Sequence, residues 1–122
     1  MNMDEFVMLL SKAKINEERR ESIERAYGCN LPDEFCRIVS LDTPLFFDGG
    51  RVMDVQEIIY ASDDYGVDYI GLGLIPCIDC YDNDFVVYDI SKQIWTKFNV
   101  SDKICFGREA TELADMLTNH VT

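Results

Sequence analysis

The chain has 122 residues and a mass of 14.0 kDa, the size of one domain; 48% apolar and 28% charged residues are ordinary for a globular fold and exclude a disordered or collagen-like chain. Twenty-three acids face eleven bases, and the resulting net charge of −12 argues against nucleic acid and anionic membranes as main partners, since each would need phosphate-neutralising Lys and Arg. No apolar run approaches the ~20 residues of a membrane span, and MNMDEF, with two acids and no base, is not expected to be a signal peptide.

Met3, Phe6, Val7, Leu10 and Ala13 recur at helical spacing and predict a first amphipathic helix. After Asn16, EERRESIERAY predicts a second. Glu17 with Arg20 and Glu21 with Arg25 stand at i,i+3 and i,i+4, Ile23, Ala26 and Tyr27 form a narrow apolar face, and Gly28 is placed to close the helix in the left-handed conformation. Leu31-Pro32-Asp33-Glu34 starts a third helix, with proline expected at the first helical position and the two acids near the positive end of the helix dipole. Phe35, Ile38 and Val39 are its buried face, and Pro44 prevents its continuation.

The pattern then changes. Leu45-Phe46-Phe47 reads as a short strand ended by Asp48-Gly49-Gly50, and Asp54 is a cap for a brief helix over 55–60, where a strand is the alternative. Residues 62–73, with Asp63, Asp64, Gly66, Asp68, Gly71 and Gly73, read as an acidic loop. Strands are expected over 74–80 and 84–90. Phe85-Val86-Val87-Tyr88 is apolar on both faces and therefore central. Ser91-Lys92-Gln93 turns the chain, Ile94 to Val100 alternates as a half-buried strand, Lys103 to Phe106 adds a short one, and Arg108 to about Asn119 is a final helix. Helices, then strands, then one helix mean a single α+β domain over 1–122: N-terminal helices, a central, mainly antiparallel sheet of four or more strands, and a C-terminal helix packed on it, with the helices on one face.

The charge is uneven. Residues 28–122 hold seventeen acids and six bases, and no Lys or Arg stands between Arg51 and Lys92 against nine acids. Such a stretch is either a solubilising surface or a negative patch that steers a basic partner. Tyr60, Tyr65, Tyr69 and Tyr81 are interleaved with these acids. Core packing accounts for some of them; exposed Tyr beside Asp is also the composition of a protein-binding surface. The expected partner-binding residues are Asp63, Asp64, Tyr65, Asp68, Tyr69, Asp79, Tyr81, Asp82 and Asp84.

Five cysteines without a secretory signal fit a reducing cytoplasm and free thiols. Cys77-Ile78-Asp79-Cys80 is a CxxC, but a structural zinc site needs four ligands, the remaining cysteines are single, and the sole histidine, His120, has no partner at ligand spacing. An EF-hand frame from Asp79 fails, with Tyr81 at position 3, Asp84 at position 6 and Ile90 at position 12. No nucleophile elbow, P-loop or dinucleotide fingerprint is present. Neither catalysis, a cofactor nor a metal is expected; a metal or redox protein using the CxxC is the outlying alternative.

The run IERAYGCNLPDEFCRIVS resembles the opening of the SUKH superfamily, in which a helix ends, Leu-Pro follows, and an acid and an aromatic start the next helix. LIPCIDCYDNDFVVYDISKQIW resembles that family's central hairpin, and ATELADML its closing helix, so the likeness spans roughly Glu18 to Leu117. The sequence departs from the family pattern where Asp82-Asn83-Asp84 replaces a glycine before Asp, and where TPLFF precedes Asp48-Gly49-Gly50. The superfamily consists mostly of bacterial immunity proteins that neutralise toxins, often nucleases, with others acting as protein-binding modules such as a fungal cell-wall regulator. The resemblance implies an α+β fold, no catalysis and a protein partner, here a basic toxin domain. A housekeeping scaffold of the same fold without a toxin is the alternative.

Overall fold

A computed structural model of the chain describes residues 1–118. Helix α1, Met3–Lys12, starts in a capping box: the Asn2 side chain accepts the Glu5 amide and the Glu5 carboxylate accepts the Asn2 amide, and Phe6 and Leu10 turn inward. Helix α2, Glu17–Tyr27, is capped by Asn16 and closed by Gly28 at φ +67, where the missing Cβ removes the left-handed penalty. Its polar surface carries Arg20, which bonds Glu17 and Glu24 on one helix face. Helix α3, Asp33–Val39, buries Phe35, Cys36, Ile38 and Val39. Pro32 is not its first helical residue; with ψ 158 it remains extended as the cap residue.

Six strands follow: β1 Phe46–Phe47, β2 Gly50–Val52, β3 Leu74–Asp79, β4 Asp84–Asp89, β5 Ile94–Asn99 and β6 Ile104–Ala110. They form one sheet in the order β1-β2-β3-β4-β5-β6 with every pair antiparallel, a plain meander. The expected short strand at 103–106 extends to Ala110 through a register shift opposite Thr96, and the final helix α7 is Leu113–Thr118. Ala110 fits the helical spacing of Leu113, Ala114 and Leu117, yet it pairs with Trp95 as the last strand residue. The expected reach of that helix to Asn119, and His120 beyond it, lie outside the described residues.

Between β2 and β3 the brief helix expected after Asp54 forms as α4, Val55–Ile59, and two more short helices, α5 Ala61–Tyr65 and α6 Tyr69–Leu72, stand where a loop was expected over 62–73. Local capping starts two of the three. Asp54 and Glu57 make a capping box on α4, and the Asp68 side chain accepts the Gly71 amide at the start of α6.

Residues opposite each other in a ladder point to the same face, and neighbours along a strand to opposite faces. Tyr88 and Trp95 are partners, and Phe35 of α3 packs on both, at ring-centroid distances of 6.5 and 5.8 Å. Phe85 and Phe98 are also partners, three residues from Tyr88 and Trp95, so they face the other way. On that second face Tyr65 of α5 packs on Phe85 at 4.8 Å and Tyr69 of α6 on Phe98 at 5.6 Å. The helices therefore cover both faces, not one. Helices α1, α3 and α7 lie on the first face, where Phe6 stacks on Phe47 at 4.0 Å; α5 and α6 lie on the second. Burial on both faces is why Phe85-Val86-Val87-Tyr88 is apolar throughout.

Candidate functional site

The nine residues expected to bind a partner fall on α5, α6 and the β3–β4 turn. Asp63 and Asp64 are exposed on the outer side of α5. Asp68 is exposed at the start of α6, where its carboxylate caps Gly71. A side chain at position 71 would run into that carboxylate, which would have to shift from its capping position.

Tyr69 is a correction. Its ring is completely buried against Phe98, and its hydroxyl is the one buried side-chain polar atom among the described residues without a partner. It belongs to the core and is withdrawn as a contact residue. Burial, and next the nearby Tyr65, push its phenol up. Tyr65 is half-buried, with its ring fixed edge-on against Phe85. Burial, followed by the charges of Asp79 and Glu57, pushes its phenol up as well.

Asp79, unlike the acids of α5, has a cation beside it. Antiparallel pairing of β2 with β3 sets Arg51 opposite it, and Arg51 Nη2 lies 3.2 Å from Asp79 Oδ2. The same guanidinium grips Glu57 of α4 with two bonds of 2.7 and 2.8 Å. These bonds raise Arg51 further above its ordinary value, and the Arg51 bond is the main cause that lowers Glu57. The other carboxylate oxygen of Asp79 accepts the Tyr81 amide at 2.9 Å. Glu57, Arg51, Asp79 and the Tyr81 backbone thus form one connected chain of polar contacts.

The turn that follows is conformationally unusual. Tyr81, Asp82 and Asn83 have φ of 70, 53 and 67, three consecutive residues in the left-handed region, of which Tyr81 is the bulkiest. The turn is closed by Cys80 N–H to the Asp84 carbonyl and Asp84 N–H to the Tyr81 carbonyl. Asn83 ties it to the next turn through Ser101 and the Val100 amide. Tyr81 and Asp82 project into solvent, while Asp84 is half-buried and accepts Asn99 Nδ2 at 2.7 Å.

The structure brings α5 beside the β3–β4 turn, since Tyr65 sits on Phe85 and Phe85 is the ladder partner of Asp79. Among the described residues no hydrogen bond or ion pair joins the acids of α5 and α6 to those of the turn. Asp63, Asp64, Asp68 and Asp82 have no cationic partner there either. Two relevant residues escape sequence reasoning. Arg51 stands at the edge of the cation-free stretch and is returned to its middle by the β2–β3 register. Phe46 lies in the expected short strand, and its exposure on β1 is visible only in the fold.

All five cysteines are free. Cys77 falls where the β3–β4 register shifts, is fully buried, and donates to the Val86 carbonyl. Burial pushes its thiol well up and brings the Cys80 thiol to about 11. Among the described residues no group of three or more His, Cys, Asp or Glu is placed to hold a metal, and no helix is long and apolar enough to cross a membrane. No family model, curated protein or solved structure matches the chain.

Proposed function

We propose that the chain is a non-catalytic protein-binding module that acts in the cytoplasm and neutralises a basic toxin domain, with a nuclease as the favoured class. The observation that carries this reading is the set of exposed, unpaired carboxylates Asp63, Asp64, Asp68 and Asp82. Arg51, the cation nearest in sequence to Asp63, Asp64 and Asp68, is already held by Glu57 and Asp79. A surface of this kind imitates a polyanion. It competes for the cationic groove of a nucleic-acid enzyme and speeds encounter with it. The SUKH resemblance supports the same reading, because a sheet between N-terminal helices and a closing helix is the architecture it implies.

The test is co-expression with the C-terminal domain of the polypeptide encoded by the neighbouring gene. The reading predicts that this domain arrests growth alone and that the present chain restores it. Arrest that the chain does not relieve, or a neighbouring domain without toxicity, would count against it.

A further inference from the structure

We infer that Phe46 and Tyr81, on either side of the Arg51–Asp79 ion pair, are the contact anchors for the basic protein partner; this rests on the function proposed above. In the two-residue strand β1, alternation sends one ring to each face of the sheet. Phe47 stacks on Phe6 beneath α1, whereas Phe46 is 56% exposed. Folding therefore accounts for one phenylalanine and leaves the other in water.

Register places Phe46 opposite Arg51 and Arg51 opposite Asp79, a single row on the face that carries α5. Two strand spacings separate Phe46 from Asp79, about 10 Å. Tyr81 follows two residues later, 51% exposed, with its backbone amide held by the Asp79 carboxylate and with itself and the next two residues in the left-handed region. The two rings are thus carried by a fixed frame, which lowers the entropy lost on binding.

Charge selects the occupant. Arg51 is offset by two carboxylates, and exposed Asp63, Asp64 and Asp82 lie on the neighbouring α5 and β3–β4 turn. An aromatic pair within a negative rim fits a positively charged protein with apolar recesses. A second copy of this chain, itself at −12, is repelled.

The experiment uses the purified C-terminal domain encoded by the neighbouring gene as probe, with binding followed by surface plasmon resonance. Phe46→Ala and Tyr81→Ala are each expected to speed dissociation by about tenfold or more. Association and the melting temperature should stay near wild type, because both rings are already solvated in the free protein. If both variants dissociate at the wild-type rate while the wild-type chain still binds, the anchors are wrong and the acidic-surface reading stands. If the wild-type chain does not bind the domain, both fall together. A wild-type dimer in sedimentation that Phe46→Ala disperses would assign the ring to self-association and overturn the inference.

Discussion

Glu34 of α3 caps a helix 79 residues away: its carboxylate accepts the Leu113 amide at 2.7 Å and the Ala114 amide at 3.1 Å. Helix α7 spans six of the described residues, and a helix this short does not hold itself together in water. Its first amides are satisfied by a charge that also suits the positive end of its dipole. Glu34→Ala is expected to lower stability by about 2 kcal/mol in urea titration. Glu34→Gln, which retains one acceptor, should lose about half as much. Wild-type stability in Glu34→Ala would show that packing alone docks α7.

The Arg51–Glu57 pair gives stability a defined pH dependence. The Glu57 carboxyl is lowered from an ordinary value of 4.5, chiefly by its bonds to Arg51. A lowered folded-state value means that this stabilisation is complete above the ordinary value and is lost as pH falls through the folded one. Arg51→Gln should therefore be less stable than wild type by about 2 kcal/mol near pH 6, and the gap should narrow as pH falls through the lowered folded-state value of Glu57. Urea titrations of both proteins at pH 6 and pH 3 measure it. A gap of equal size at both pH values would refute the linkage.

Tyr69 carries a buried hydroxyl without a partner, so removing that oxygen should not hurt. Tyr69→Phe is expected to melt at or above the wild-type temperature, by up to about 1 kcal/mol of added stability. Tyr69→Ala, which deletes a ring packed on Phe98, should cost about 3–5 kcal/mol. Destabilisation of Tyr69→Phe beyond 1 kcal/mol would reveal a hydrogen bond at that oxygen.

The thiols should separate by burial. Cys105 is exposed on β6, and Cys77 is wholly buried with its thiol pushed up. With an aromatic disulfide reagent near pH 8, Cys105 should react first, a phase absent from Cys105→Ser, and Cys77 only on unfolding. Early modification of Cys77 would indicate that β3 and β4 open readily.

Elements whose information is local were legible in the sequence. Helical spacing gives α1, the Asn16 and Gly28 boundaries give α2, and unbroken apolar character gives β4 as a central strand. Relationships that close across the chain were not. Glu34 looks like a first-turn acid of α3, and nothing in its neighbourhood points to α7. Asp79 looks unneutralised until the β2–β3 register supplies Arg51. Tyr69 and Tyr81 have similar acidic neighbours, and only the packing of α6 on Phe98 separates the buried ring from the exposed one. The helices α5 and α6 were hidden because three acids and three glycines in a dozen residues read as loop; the Asp68 cap acts over three residues only. A sheet covered on both faces follows from those two helices and could not be read from element order alone.

The central claim is that exposed carboxylates steer a basic partner, and the association rate tests it most directly. Asp63→Asn/Asp64→Asn/Asp68→Asn removes three negative charges and keeps a side chain at 68 that caps a helix as well as aspartate does. Stopped-flow mixing with the neighbouring gene's C-terminal domain at low and physiological salt measures the rate. The variant should associate about tenfold more slowly at low salt, with a shallower salt dependence and an unchanged melting temperature. An association rate and salt slope equal to wild type would contradict the account and leave these acids as a solubilising surface.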